Sequence, residues 1–315
     1  MQLNIKSNQI DTRKTYYSNG KLLLTGEYLV LDGALSLGLP TKKGQNLVVE
    51  ALNTPVINWE SIDSNAEIWF KESFSLPLQI QNSTAISKVL VTILIEAKKL
   101  NPSFLNHSKG GSNIQTNLDF PMNWGLGSSS TLINNIAQWA EINAFELLQN
   151  TMGGSGYDIA CGQNDFPILY QINKIDVSKP LVKPIDFHPS FNEQLYFIHL
   201  NKKQRSNKEI TRYQKLKKGI PEAVHTVSEI TNLITKTTKL DDFDVLMQEH
   251  ESILSSILQI PTIQEQLFSD YFGQLKSLGA WGGDFILATG NDDTPKYFKN
   301  KGFNTIIRYK DMILN

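Results

Sequence analysis

The feature that most constrains the fold is a strand, a short glycine-rich loop and a helix that follow one another between residues 114 and 140. Residues 114–120 alternate apolar and polar side chains, and Pro121 ends this strand pattern. After the loop GLGSSS at 125–130, apolar residues recur at 132, 133, 136, 137 and 140, which is the spacing of one helix face. This unit predicts a fold in which helices pack against a sheet.

The remaining pattern mixes strands and helices without strict alternation. Short apolar runs predict strands at 21–25, 28–31, 47–51, 166–172, 194–200, 285–289 and 305–309. Helical spacing predicts helices at 83–100 and, with an interruption at 241–242, at 221–278. This order favours an α+β fold over a doubly wound sheet. We place a domain boundary near residue 190, which gives the predicted domains 1–190 and 191–315.

Composition and charge exclude several classes of protein. Hydrophobic residues make up 40% of the 315 residues, which is enough for a core and excludes a mainly disordered chain. The 30 basic residues nearly balance the 31 acidic ones, so we expect no nucleic-acid partner and no membrane partner. Cys161 is the single cysteine, which excludes a disulfide framework. The first residues carry no signal-peptide pattern, and we expect a cytoplasmic protein.

The glycine loop has the chemistry of a phosphate site. Gly125 and Gly127 let the backbone approach an anion closely, and the N-terminus of the following helix supplies free N–H groups. Ser128, Ser129 and Ser130 add hydroxyl groups for a phosphate or for Mg²⁺. The alternative is a tight turn with a serine as the helix N-cap. A Walker A loop is excluded because no lysine follows, and a dinucleotide fingerprint is disfavoured because no carboxylate follows at the required spacing.

Two further segments carry groups suited to phosphoryl transfer. The turn 153–158 contains three glycines and ends in Asp158, which can orient a substrate hydroxyl and accept its proton. The alternative is that Asp158 caps a helix beginning at Ile159. Lys21 stands at the edge of an apolar strand, where its ammonium group can neutralise a phosphoryl group. The alternative is an exposed lysine at a strand end, and the residues alone leave these alternatives open.

Four segments, in this order, resemble the motifs of the GHMP kinase superfamily, which includes galactokinase, homoserine kinase, mevalonate kinase and phosphomevalonate kinase. They are GKLLLTGEYLVLDG at 20–33, PMNWGLGSSS at 121–130, GSGYD at 154–158 and GAWGGD at 279–284. The resemblance covers nearly the whole chain, and GLGSS is its most specific part. It is closest to mevalonate kinase and phosphomevalonate kinase.

The resemblance implies a two-domain fold, with an N-terminal domain like domain 2 of ribosomal protein S5 and a C-terminal ferredoxin-like domain. It implies ATP and Mg²⁺ as cofactors, a small hydroxy acid or its phosphate as substrate, and Lys21 and Asp158 as the catalytic pair. The implied nucleotide-binding residues are Pro121, Asn123, Gly125, Leu126, Gly127, Ser128, Ser129, Ser130, Gly282 and Gly283. The implied substrate residues are Glu27, Tyr28, Ser155, Gly156 and Lys202, and the implied Mg²⁺ ligands are Ser129 and Glu146.

The chain departs from the family pattern at several positions. Asn123 and Trp281 stand where glycine is usual, and we expect the bulk of Trp281 to narrow the nucleotide cleft. Tyr28 replaces the histidine that is common in mevalonate kinases. The usual Mg²⁺-binding glutamate falls near Leu147, so that Glu146 is the carboxylate close to that position.

The resemblance therefore implies an ATP-dependent kinase that acts on mevalonate or 5-phosphomevalonate. Two alternatives stay open: a kinase-fold protein that binds a nucleotide or metabolite without turnover, and a sugar or homoserine kinase. The lysine-rich segment that begins at Lys202 suits a phosphorylated substrate, with a solvated charged surface as the alternative. A homodimer is a further open alternative.

Overall fold

The structure is a computed structural model that describes residues 13–80, 84–106, 108, 110–202, 206–216, 220–279, 281 and 283–314. The strands in these ranges are β1 (Lys14–Thr25), β2 (Ser36–Leu52), β3 (Val56–Ile62), β4 (Ile68–Ser75), β5 (Gly111–Leu118), β6 (Ile168–Gln171), β7 (Leu181–Pro184), β8 (Leu195–His199), β9 (Leu275–Ser277), β10 (Phe285–Thr289) and β11 (Ile306–Arg308). The helices are α1 (Ala85–Leu100), α2 (Ser128–Ala140), α3 (Ala144–Thr151), α4 (Tyr157–Gly162), α5 (Ser206–Leu216), α6 (Ile220–Ile234), α7 (Leu240–Leu258), α8 (Ile263–Leu267), α9 (Thr294–Asn300) and α10 (Tyr309–Met312). The predicted α+β class is confirmed.

The first sheet is built around the long strand β2. One edge of β2 pairs with β1, and its other edge pairs with β5 and then with β6. The full order is β4-β3-β5-β2-β6-β7, with β1 on β2; β3 and β5 run parallel, and the other described pairs are antiparallel. Apolar residues of α1, α2 and α3 form a buried cluster with Leu47, Ile57 and Trp59, and so cover one face of this sheet.

The second sheet has the topology of a ferredoxin-like domain. Its four strands are antiparallel and lie in the order β11-β8-β10-β9, which is fourth, first, third and second along the chain. Helices α5 to α8 connect β8 with β9, and α9 connects β10 with β11. This is the β-α-β-β-α-β arrangement that the resemblance implies for the C-terminal half.

One buried hydrophobic cluster joins the two sheets. Leu22 and Leu39 of the first sheet belong to the same cluster as Phe197 and Leu287 of the second. The predicted boundary near residue 190 falls between β7 and β8, and the division into two domains stays a prediction. No helix among the described residues is long and apolar enough to cross a membrane.

Two predicted elements are wrong in part. Residues 28–31 do not form a strand, because Tyr28 has a φ of 62° and a short 3-10 helix follows at Leu29–Asp32. Leu29 and Val30 are both buried, so burial and not strand pairing explains this apolar run. The helical prediction at 221–278 holds over α6, α7 and α8 but fails at its end, where the short strand β9 lies. The interruption predicted at 241–242 is also misplaced, because the helical region breaks between Ile234 and Leu240 and both aspartates lie in the first turn of α7. The β3–β4 hairpin was not predicted.

Candidate active site

Lys21 is placed by an irregularity in β1. The pairing of β1 with β2 shifts its register between Asn19 and Gly20, and such bulges re-aim the side chains that follow. A Cβ atom at Gly20 would come within 3.1 Å of the Leu126 carbonyl oxygen, so glycine allows β1 to approach the glycine loop. The backbone N–H of Lys21 donates to the Leu126 oxygen at 3.0 Å, and its Nζ donates to the Gly125 carbonyl oxygen at 2.9 Å.

The ammonium group of Lys21 lies among groups that stabilise its charge. Its Nζ is 5.5 Å from the ring centroid of Tyr157. Burial lowers the pKa of Lys21, but Tyr157, Asp158 and Asp284 outweigh that effect and raise the pKa above its ordinary value. Burial also raises the pKa of Tyr157 to about 12, so its hydroxyl is neutral at physiological pH. Lys21 therefore presents a fixed positive charge within the electrostatic influence of Asp158.

The glycine loop passes between Lys21 and the C-terminal half of the chain. Gly125 and Gly127 both have positive φ angles, 66° and 91°, which glycine adopts without strain. A Cβ atom at Gly125 would be 2.3 Å from an Asp284 carboxylate oxygen, and one at Gly127 would be 2.7 Å from the Ser130 hydroxyl. A larger residue at Gly125 would have to displace Asp284, and one at Gly127 would have to displace Ser130.

The N-terminus of α2 begins at this loop. Gly127 is the N-cap, so the alternative in which a serine caps the helix is wrong. The Ser130 hydroxyl is buried and donates to the Gly127 carbonyl oxygen at 2.8 Å. Ser128 is half-buried and Ser129 is exposed at the first turn. The loop therefore combines half-buried glycines, a helix N-terminus and the hydroxyl groups of Ser128 and Ser129, a combination that binds anions.

Asp158 lies in the first turn of the short helix α4. Gly156, with a φ of 85°, is the N-cap, so the alternative in which Asp158 caps a helix beginning at Ile159 is wrong. A Cβ atom at Gly156 would be 3.0 Å from a ring carbon of Phe145, and Gly156 is buried. The Ser155 carbonyl oxygen accepts a hydrogen bond from a buried tyrosine hydroxyl and so fixes the turn. Asp158 itself is half-buried, and its charge raises the pKa of Lys21.

A buried network of amides fixes α2 and α4 on the strands β1 and β2. The Ser18 hydroxyl donates to Asn135 Oδ1 at 2.6 Å and accepts from Asn134 Nδ2 at 2.8 Å. Gln163 Nε2 donates to Asn134 Oδ1 at 2.9 Å, and Asn135 Nδ2 donates to the Gln45 carbonyl oxygen at 2.9 Å. Sequence reasoning missed these residues. The available signal was a pair of asparagines beside the apolar face of a predicted helix.

The described residues of the third motif lie in the hairpin between β9 and β10, and Asp284 reaches the glycine loop. Asp284 has a φ of 52°, and its backbone N–H donates to the Lys202 carbonyl oxygen at 2.9 Å. Gly283 is buried in this hairpin, and Lys202 is exposed beside it. Gly282 lies outside the described residues, so its predicted role stays a prediction. Because Asp284 also packs against Gly125, the backbone of Lys202 lies near the glycine loop.

Two predicted substrate residues are buried. Glu27 is 2% exposed, and its Oε1 lies 2.6 Å from Lys276 Nζ. Tyr28 is 7% exposed, and its hydroxyl accepts a hydrogen bond from the Trp281 backbone N–H at 2.9 Å. Trp281 is 3% exposed and packs with Tyr28 and Tyr213 in one cluster. Its bulk therefore fills a core, and the expectation that it narrows an open cleft is wrong.

The remaining predicted residues lie near the loop or on the surface. Pro121 is half-buried, and Asn123 is exposed with its carbonyl oxygen 3.1 Å from His199 Nε2. Glu146 is exposed on α3, and within the described ranges its side chain makes no ion pair or hydrogen bond. The described residues also contain no group of three or more His, Cys, Asp or Glu that could hold a metal ion. The Mg²⁺ roles of Ser129 and Glu146 stay predictions.

Comparison with known proteins decides the fold. No family model and no curated protein matches the sequence. Among solved structures, the chain is similar to the mevalonate kinase of Methanococcus jannaschii, with a TM-score of 0.68 and 16% identity, over 97% of this chain and 99% of that chain. It is also similar to the phosphomevalonate kinase of Streptococcus pneumoniae, in complex with phosphomevalonate and AMPPNP, with a TM-score of 0.70 and 14% identity, over 94% and 99%. The chain has the fold of the GHMP kinases.

The GHMP kinase fold extends over both halves of the chain. A third similar structure, Lactococcus lactis galactokinase complexed with galactose, has a TM-score of 0.65 and 12% identity, over 92% of this chain and 88% of that chain. The predicted resemblance is therefore confirmed at the level of the fold.

Proposed function

We propose that this chain is an ATP-dependent kinase that transfers the γ-phosphoryl group of ATP to an oxygen of a small substrate, with mevalonate and 5-phosphomevalonate as the first candidates. The observation that carries the proposal is the convergence of Lys21, Gly125 and Asp158. These residues are remote in sequence, yet the Lys21 ammonium donates to the Gly125 carbonyl oxygen and is close enough to Asp158 for that charge to raise its pKa. Phosphoryl transfer needs mainly positioning and neutralisation of charge, which these groups supply.

Each group has a place in the reaction. The N–H groups at the start of α2 would bind the phosphates of ATP, and Lys21 would neutralise charge on the transferred group. Asp158 would orient the acceptor oxygen and accept its proton if the acceptor is a hydroxyl. The new bond joins the acceptor oxygen to the γ-phosphorus, and the bond from that phosphorus to the bridging oxygen of ADP breaks.

The oxygen donors around the loop fit Mg²⁺. Ser129 is exposed at the start of α2, and the carboxylates of Asp158 and Asp284 are both close enough to Lys21 to raise its pKa. Hydroxyl and carboxylate oxygens, together with phosphate oxygens and water, are the ligands that Mg²⁺ prefers. When bound with ATP, Mg²⁺ would supply further neutralisation of phosphate charge.

Two proteins of similar fold support the choice of substrate class. One is the mevalonate kinase of M. jannaschii, and the other is the S. pneumoniae phosphomevalonate kinase in complex with phosphomevalonate and AMPPNP. The galactokinase and a D-glycero-D-manno-heptose 1-phosphate kinase of similar fold make sugars the second class to test. Lys202, exposed beside the third motif, would favour a phosphorylated acceptor.

The test is ADP release with Mg·ATP and a panel of acceptors: mevalonate, 5-phosphomevalonate, galactose, a heptose phosphate and homoserine. We expect turnover with a mevalonate-pathway acceptor. Turnover with a sugar would support the kinase activity and replace the proposed substrate class by sugars. ATP binding without turnover on any acceptor would contradict the proposal and favour a binding protein.

A variant of Asp158 tests the assigned chemistry. Asp158→Asn keeps the shape of the side chain and removes the proton acceptor, so we expect kcat to fall about 10²- to 10⁴-fold with the dissociation constant of ATP nearly unchanged. Asp270→Asn is the control, since Asp270 is an exposed carboxylate of the second half that pairs with Lys301. An unchanged kcat in Asp158→Asn would remove Asp158 from the mechanism.

A further inference from the structure

The hairpin between β9 and β10 contacts two different N-terminal segments. Directly before β10, the Asp284 carboxylate lies against the glycine loop, where a Cβ atom on Gly125 would be 2.3 Å from its oxygen. In the middle of the connection, the buried backbone N–H of Trp281 donates to the Tyr28 hydroxyl at 2.9 Å. Tyr28 belongs to the turn that follows β1. The hairpin therefore bridges this turn and the glycine loop.

The base of the hairpin is held by buried charges. Lys276 is 1% exposed; its Nζ lies 2.6 Å from Glu27 Oε1 and 3.5 Å from Glu251 Oε1. His250 faces Glu27 from α7, with its Nε2 3.4 Å from Glu27 Oε2, and the same Nε2 accepts the Gly26 N–H at 3.0 Å. Lys276, Glu251 and His250 are the charged and titratable groups that face Glu27. Desolvation makes such a cluster a poor source of stability, so its geometry points to a positioning role.

One contact point of the hairpin has a strained backbone. Tyr28 has a φ of 62° and a ψ of −49°, and a bulky non-glycine residue adopts such angles only when its surroundings impose them. Tyr28 and Trp281 are also two of the positions at which the sequence departs from the family pattern, and the structure brings them into contact. The two departures are therefore one local arrangement.

We propose that Tyr28, together with the Glu27–Lys276 pair, positions the β9–β10 hairpin against the glycine loop and so sets the affinity for ATP. This inference rests on the proposed function, in which that loop binds the phosphates of ATP. It gives Glu27 and Tyr28 a positioning role in place of the substrate contact that the resemblance implies. The shielding of Tyr28 from solvent supports this role.

The test compares two tyrosines of one buried cluster. Tyr28→Phe removes the acceptor of the Trp281 N–H and keeps the ring. Tyr213→Phe is the matched control, because its ring lies 5.5 Å from that of Tyr28 and its hydroxyl donates to Asp32, outside the hairpin. We expect the dissociation constant of ATP, measured without acceptor, to rise about tenfold in Tyr28→Phe and less than about twofold in Tyr213→Phe.

The outcomes separate this inference from the proposed function. If the wild-type chain does not bind ATP, the proposed function fails, and the inference fails with it. If the wild type binds ATP and Tyr28→Phe binds it equally well, the positioning role alone is wrong. A raised KM for the acceptor with an unchanged dissociation constant of ATP would also overturn it, and would return Tyr28 to the substrate site.

A measurement on the wild-type chain covers the case in which Tyr28→Phe does not fold. If the position of the hairpin sets ATP affinity, ATP must in turn stabilise that position, because coupling between binding and conformation is reciprocal. We expect hydrogen exchange of the Trp281 backbone amide to slow when Mg·ATP is added. Exchange of this amide at the same rate with and without Mg·ATP would contradict the proposal.

Discussion

At the scale of single residues, the candidate site depends on where one lysine is held. Lys21 donates to a carbonyl oxygen of the loop that would bind phosphate, and Tyr157, Asp158 and Asp284, from two other segments, raise its pKa. Because Nζ is tied to the Gly125 oxygen, its position follows the loop, and a movement of the loop moves the cation with it. Lys21 is thus a fixed positive charge at the phosphate side of the site.

Replacement of Lys21 by methionine tests this role. Methionine keeps most of the apolar stem and removes the charge, so we expect kcat to fall about 10²- to 10³-fold and ATP affinity to fall less. Lys42→Met is the matched control, since Lys42 is also on a strand and also donates to a carbonyl oxygen, that of Lys310 at 2.6 Å, but it is exposed. Steady-state kinetics and ATP titration measure both quantities. A kcat for Lys21→Met equal to that of Lys42→Met would exclude Lys21 from the chemistry.

At the scale of elements, the sequence predicted the strand–loop–helix unit and the strands that have clear apolar runs. It could not predict which polar residues are buried. Asn134 and Asn135 read as the polar side of α2, but both are fully buried because β1, β2 and α4 surround that side. Likewise, the three-residue strand β9 has no periodicity of its own, and only pairing with β10 defines it. Tertiary packing decides both, and a single segment does not record it.

The predicted site residues also include two groups: those that the structure brings together and those that it buries in other contacts. Lys21, Asp158 and the glycine loop were predicted from motifs, and the structure brings them together. The motif around Glu27 gave a substrate role, although the structure places Glu27 in a buried ion pair. Its partner Lys276 lies in a segment that was predicted to be helical, so no motif indicated the pair.

The glycine loop also carries a prediction at this scale. Gly125→Ala adds a Cβ atom at a φ of 66° and 2.3 Å from Asp284. Gly302→Ala adds one at a φ of 89° with nothing within 4 Å, so it shares the backbone strain without the contact. We expect the free energy of unfolding of Gly125→Ala to be lower than that of Gly302→Ala by about 1–3 kcal/mol, and ATP affinity to fall in Gly125→Ala alone. Denaturant titration and ATP binding measure these differences; equal values for the two variants would show that the loop tolerates the contact.

At the scale of the whole molecule, the cluster of Glu27, Lys276, Glu251 and His250 links the turn that follows β1 to the second half of the chain. One ammonium group faces two buried carboxylates, and it can neutralise only one of them fully. Burial, partly offset by Lys276, raises the pKa of Glu27 to about 7, and burial also raises the pKa of Glu251. Burial lowers the pKa of His250 well below its ordinary value, so that His250 is neutral. The charge of the cluster therefore changes near neutral pH.

This charge change should appear as a pH dependence of stability. Between the ordinary glutamate pKa of 4.5 and about 7, the folded state binds a proton at Glu27 that the unfolded state has lost, so the free energy of unfolding falls as pH rises through this range. Glu27→Gln imitates the protonated form and removes this contribution. The substitution also leaves Glu251 as the carboxylate that pairs with Lys276, which lowers the pKa of Glu251. This second effect changes the stability difference between wild type and variant in the same direction. We expect the stability of the wild type relative to Glu27→Gln to decrease from pH 5 through pH 7 and to level off by pH 8.

Denaturant titrations of both proteins at pH 5, 6, 7 and 8 measure this difference, and Glu60→Gln serves as the control. Glu60 is a glutamate whose pKa is lowered by its hydrogen bond with Lys71. The stability of the wild type relative to Glu60→Gln should therefore change only slightly with pH, and it should rise with pH where that relative to Glu27→Gln falls. The comparison depends on the slope with pH and not on the absolute stability, so the loss of the Glu27–Lys276 ion pair does not obscure it. A wild type that gains stability relative to Glu27→Gln between pH 5 and pH 7 would show that Glu27 stays ionised and that Lys276 dominates the cluster.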